Sequence, residues 1–125
     1  MHSRRAALAN VKVSDMIHAE GSNGGSFICL VTGVTSTHIQ ARTVTHQICL
    51  QFDFELGVAH VPGHRIVCTI NSTEPLPKDV YDALVGIDER YRTGTDPDRA
   101  RLSEIERRAL IFAVRHYGDP NSQLE

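Results

Sequence analysis

The chain of 125 residues contains no tryptophan, and only 6% of its residues are aromatic. That scarcity argues against a ring-lined groove of the kind that polyproline segments need. Lysine is nearly absent too: Lys12 and Lys78 stand against eleven arginines, and the net charge is only -2. No field of one sign is available to attract a polyanion, and the arginine bias fits a GC-rich, bacterial genome. Three cysteines, Cys29, Cys49 and Cys68, are an odd number at wide spacing without a C-x-x-C pair, which fits a reducing cytoplasm better than an exported disulfide framework. The longest apolar runs, residues 27–31 and 109–114, are far too short to span a bilayer, so no membrane association is expected. The first residues are basic but lack an apolar core, so a frayed start over 1–10 is expected rather than a signal peptide. Neither G-x-x-x-x-G-K-[ST] nor G-x-G-x-x-G occurs. At this length one domain buries enough surface to need no metal.

What the chain does have is a change of period at its middle. Residues 11–70 read as short alternating runs, and after the connector 71–77 the apolar residues recur at helical spacing. Each half exposes an apolar face that needs covering. The expected fold is therefore α+β: a small antiparallel barrel of five or six strands over 11–70, two helices over 78–118 packed on it, and a tail over 119–125.

Residues 11–17 alternate and lead into the glycine-containing turn 21–26. Residues 27–34 are apolar on both faces, as in a strand buried on two sides, and Gly33 within them predicts a bulge or bend. Ile39 and Ala41 alternate with His38, Gln40 and Arg42, while Ile48, Leu50, Phe52, Phe54 and Leu56 alternate with Gln47, Cys49, Gln51, Asp53 and Glu55. A hairpin centred on Thr45-His46 sets Ala41 against Leu50, Ile39 against Phe52 and His38 against Asp53. Thr-His suits a tight primed turn poorly, which leaves a longer connection open. Gly57 and Pro62-Gly63 turn the chain into two more short strands, 58–61 and 65–70, the second turn setting His60 opposite Arg65.

Pro77 is expected at the first position of a helix whose stripe is Val80, Leu84, Ile87 and Tyr91. The second helix has two candidate starts, Asp96-Pro97 and the capping box Ser103-x-x-Glu106; the second is preferred. Its stripe reads Ile105, Ala109, Phe112, Ala113 and Tyr117, and Gly118 with Pro120 beyond ends it. The mixed charges along these helices read as a solvated face.

Six of the seven histidines lie before the connector, and His60-x-x-x-His64 has a metal-like spacing. Pro62-Gly63 between them breaks any shared helical face, so no metal and no cofactor is expected. Isolated cysteines in strands read as small core side chains, except Cys49, which alternation puts on the polar face. No catalytic residue is expected. The most concentrated polar face comprises His38, Gln40, Arg42, His46, Gln51 and Asp53, and with Arg65 these are the candidate binding residues, Arg42 supplying a planar fork for recognition.

The segment Val13-Ser14-Asp15-Met16-Ile17, followed by a glycine-containing loop, a long strand ending near Val34 and a short hairpin series, resembles the opening of SH3-like small β-barrels, including KOW-type domains. The resemblance covers residues 11–70 and implies binding, of protein segments or of RNA or DNA, without shared catalytic residues. A cytoplasmic binding module acting through protein–protein contact or self-association is the expectation. A nucleic-acid-binding regulator is the alternative, though the β half sets five basic residues against four acidic ones. A small enzyme comes last.

Overall fold

A computed structural model of the protein describes residues 4–94 and 101–124. After a short helix, α1 (Arg4–Leu8), come six strands: β1 (Met16–Gly21), β2 (Ser26–Val34), β3 (His38–Thr43), β4 (Cys49–Asp53), β5 (Val58–His60) and β6 (Val67–Ser72). All pairings are antiparallel, the spatial order is β4-β3-β2-β1-β6-β5, and β5 lies back against β4. The sheet thus curls into a nearly closed barrel. Two helices follow, α2 (Lys78–Thr93) and α3 (Glu104–Gly118), then a 3-10 turn at Pro120–Ser122. The arrangement is the expected α+β one.

Strand alternation divides the apolar residues between two cores. Ile17, Ala19, Cys29, Val31, Ile39, Ala41, Leu50, Phe52, Cys68 and Ile70 fill the barrel, joined by Leu8 and Val11. Met16, Ile28 and Val44 meet Val80, Leu84 and Ile87 of α2 and Ala109, Ala113 and Tyr117 of α3 in the other. β1 and β2 therefore serve both, which is why residues 27–34 are apolar on either side. Burying one such large side chain contributes about 1.5–3 kcal/mol.

The β3–β4 register is the expected one, with Ala41 opposite Leu50, Ile39 opposite Phe52 and His38 opposite Asp53. The connection is the longer alternative, a four-residue loop over 44–47 in which Gln47 takes φ +57° and its N–H donates to Thr43 O at 2.9 Å. β4 stops at Asp53, because the Asp53 carboxylate accepts from the Leu56 N–H at 2.6 Å and bends the chain. The pairing of β2 with β3 shifts between Val31 and Gly33, the bulge that Gly33 announces.

Several expectations are corrected. Residues 4–8 of the supposedly frayed start are helical, and Leu8 is wholly buried. Residues 11–15 imitate strand alternation but form a turn, in which the Lys12 N–H donates to Asp15 Oδ2 at 2.9 Å and Ser14 has φ +76°. The β5–β6 loop has four residues, 62–65, so His60 faces Val67 rather than Arg65. Pro77 caps α2 from outside instead of occupying its first turn. In α3 the capping box forms as expected, but Ile105 and Phe112 face solvent while Glu106 is buried. Glu106 Oε1 lies 2.8 Å from Arg90 Nη2 on α2, and this pairing makes the burial of its charge tolerable. The alternative helix start at Asp96-Pro97, like His2, lies outside the described residues.

Candidate functional site

The expected polar face exists on the outside of β3 and β4, where His38, Gln40 and Arg42 stand opposite Asp53, Gln51 and Cys49. Its most distinctive member is engaged internally. Arg42 grips Asp88 of α2 through Nε to Oδ1 at 2.9 Å and Nη2 to Oδ2 at 2.8 Å, and Gln47 Nε2 adds a donor to Oδ1 at 2.9 Å. Burial opposes the Asp88 charge, but Arg42, Gln47 and the more distant Arg92 outweigh it and hold the carboxyl below its ordinary value. The guanidinium fork thus fastens α2 to the barrel. Asp53 is similarly occupied: partial burial works against its charge, and the backbone N–H groups of Leu56, Gly57, Val58 and Glu55 prevail and lower its pKa. His38 bonds Thr37 Oγ1 at 2.8 Å, and His46, in the loop, bonds Thr45 Oγ1 at 2.9 Å. Arg65 belongs to the 62–65 loop and not to this face.

Cys29 and Cys68 are buried in the barrel, where desolvation raises both thiol pKa values, and Cys49 is exposed on the polar face. Among the described residues no three His, Cys, Asp or Glu side chains gather as a metal group.

A second polar constellation lies on the outer face of three neighbouring strands, beneath the end of α3. His18 of β1 is 5% exposed; its Nε2 meets Ser26 Oγ of β2, and its Nδ1 meets Asn71 Oδ1 of β6 at 2.5 Å. Asn71 Nδ2 donates to Gln123 Oε1 at 3.0 Å, and Gln123 Nε2 donates to Tyr117 O. The Tyr117 ring stacks on His18 with centroids 5.3 Å apart, and its hydroxyl donates to Met16 O at 3.2 Å. Asn71 reaches this face because the β1–β6 register shifts between His18 and Ala19, which leaves Asn71 as the extra residue of β6. Burial lowers the His18 pKa against the opposing pulls of Asn71 and Glu20. Ser26 itself is exposed, and a cleft of about 320 Å³ opens over it between the Gly24-Gly25 turn and Val114, Gly118 and Gln123. Sequence reasoning missed this group. Working out the register of β1 against β2, which sets Glu20 opposite Ser26, brings His18 and Ser26 together diagonally; the bulge that adds Asn71 leaves no sequence mark.

The third feature is apolar. On α3, Ile105 is 74% exposed, Ile111 52%, Val114 44% and Phe112 43%. Ile105 and Phe112, with Ala83 and Val80 of α2, line a shallow groove of about 300 Å³ bordered by Asp79 and Arg108. Among the described residues no helix is long and apolar enough to cross a membrane. No family model, no curated protein and no solved structure matches this chain.

Proposed function

We propose that the protein is a protein-interaction module of the SH3-like barrel kind, whose contact surface is the outward face of α3 and whose partner is a second copy of the chain. The observation that carries this reading is the concentration of exposed Ile105, Ile111, Phe112 and Val114 on one helix. Ile105 and Phe112 adjoin in the groove shared with Val80 and Ala83 of α2, and such a contiguous apolar group, unlike side chains scattered singly, marks a contact surface.

Charge favours a second copy over an unrelated partner. The first turn of α3 carries exposed Glu104 and the last carries exposed Arg115. An antiparallel pair of α3 helices about a twofold axis brings each Glu104 beside the other copy's Arg115, sets Ile105 near the other copy's Val114, and places the two Ile111 side chains on either side of the axis. One helix face against its copy falls at the small end of specific interfaces, for which about 1,000 Å² is the lower bound, so the expected association is weak, on the order of micromolar. A cytoplasmic setting goes with this reading, since Cys29, Cys49 and Cys68 are all free thiols.

Sedimentation velocity over roughly a hundredfold range of concentration tests the proposal. A monomer–dimer shift that Phe112→Glu abolishes is expected. A monomer at every concentration overturns it, and so does a dimer that Phe112→Glu and Ile105→Glu leave intact.

A further inference from the structure

The geometry points to Ser26 as a nucleophile toward small acyl esters, with His18 as its general base and Asn71 and Gln123 as positioning residues.

The direction of every proton in this chain of hydrogen bonds follows from one group. The carbonyl of Tyr117 can only accept, so Gln123 presents its Nε2 there and turns Oε1 toward Asn71. Asn71 Nδ2 donates to that oxygen, which leaves Asn71 Oδ1 facing His18. Oδ1 accepts only, so the imidazole carries its proton on Nδ1, and its Nε2 is a bare lone pair. Ser26 must then donate its hydroxyl proton to Nε2, which aims the remaining lone pairs of Oγ at the cleft. A nucleophile on a base that a third group orients is the arrangement acyl transfer uses, recognised by roles rather than by order in the chain. Burial keeps His18 neutral near pH 7, the form that can take a proton. The cleft of about 320 Å³, floored by Gly24 and Gly25, is at the small end of ligand sites and suits a short acyl group.

The chemical step balances without a co-reactant. A lone pair of Ser26 Oγ forms a bond to the ester carbonyl carbon, the carbonyl π pair moves to its oxygen, and the hydroxyl proton passes to His18 Nε2. As the tetrahedral adduct collapses, the bond to the leaving oxygen breaks, and that oxygen takes the proton from Nε2. The products are an ester on Ser26 and a free alcohol; water repeats the sequence to release the acid.

Turnover is expected to be slow for a stated reason. The N–H groups of Gly24 and Gly25 already donate to Gly21 O and Asn23 Oδ1, each at 2.9 Å, so they do not serve the developing oxyanion. A missing donor of that kind costs about 10²–10³ in rate. The acylated serine is therefore the species to observe.

The test treats the full chain with p-nitrophenyl acetate and, separately, with an alkyl fluorophosphonate, from which Ser26 Oγ would displace fluoride. Adducts are read by intact mass and peptide mapping, with the fold checked by circular dichroism. One adduct per chain on Ser26 is expected, absent in Ser26→Ala. Labelling is expected to fall at least tenfold in Asn71→Leu and to recover in part in Asn71→Asp, whose carboxylate also accepts from Nδ1 but sets a second acceptor against Gln123 Oε1. Because Asn71→Leu can fail to fold, Gln123→Leu provides a milder loss of orientation, with several-fold slower labelling. No adduct on Ser26 of the folded protein, or other serines labelled as fast as Ser26, overturns the assignment. Labelling that neither Asn71→Leu nor Gln123→Leu slows removes the positioning roles and overturns it as stated.

Discussion

Replacing Asp88 by alanine should loosen α2 from the barrel. The carboxylate is 2% exposed and accepts three hydrogen bonds, two from the Arg42 fork and one from Gln47. Removing one partner of a buried ion pair typically costs about 3–5 kcal/mol, because the other charge is left without compensation. The Arg42 side chain keeps 21% exposure and can recover some hydration, which brings the expectation to roughly 2–4 kcal/mol. For a domain of this size that corresponds to a fall in Tm on the order of 10 °C. Calorimetry on Asp88→Ala, Arg42→Ala and the double variant closes a cycle. The double should cost less than the sum of the singles by about 1–3 kcal/mol. The paired change Arg42→Met with Asp88→Leu, which removes both charges together, should fall within about 1 kcal/mol of the parent. A loss below about 1 kcal/mol for Asp88→Ala, or strict additivity in the cycle, would refute the claim that this clamp fastens the helix.

Other expectations follow from the same contacts. Gly86 is exposed within α2 and nothing lies within 4 Å of an added Cβ, so Gly86→Ala should raise stability by about 1 kcal/mol, measured by urea denaturation. Gly57 has φ +70° and an added Cβ would meet Leu8 Cδ1 at 3.1 Å, so Gly57→Ala should cost at least about 1–2 kcal/mol by the same measurement. Two of the lowered pKa values, those of His18 and Asp88, act in different pH ranges. The unfolded chain protonates His18 near its ordinary 6.5 while the folded chain resists, so stability should decline as pH falls below that value, by at most about 1.4 kcal/mol per unit. His18→Gln should flatten this part of the profile. Asp88 contributes stability above its ordinary 3.8 that is lost as pH falls from that value through its lower folded one, so its decline should come at stronger acid than that of His18 and vanish in Asp88→Asn.

The parts of the fold legible beforehand are those in which neighbouring residues carry the signal. Alternation through His38–Thr43 and Cys49–Asp53 leaves one register that sets core against core, and it is the register found. The Ser103–Glu106 box and Gly33 likewise announce their own local geometry. Residues 11–15 mislead because a turn can alternate as well as a strand. On α3 the stripe from Ile105 to Tyr117 is broad enough to admit two rotations, and the choice between them rests on Glu106 reaching Arg90, a contact with another helix. The polar face was legible as a face, but not that Arg42 turns to Asp88, 46 residues away. His18 and Asn71 are 53 residues apart and meet through a bulge, so alternation carries no trace of them.

The sharing of β1 and β2 between the two cores has a consequence for how the molecule comes apart. Melting the helices strips Met16, Ile28 and Leu30 of cover on one side of the strands that bear Ile17, Ala19, Cys29 and Val31 on the other. The two cores have this wall in common, so the halves on either side of the connector are expected to rise and fall as one cooperative unit, although the chain lays them down one after the other.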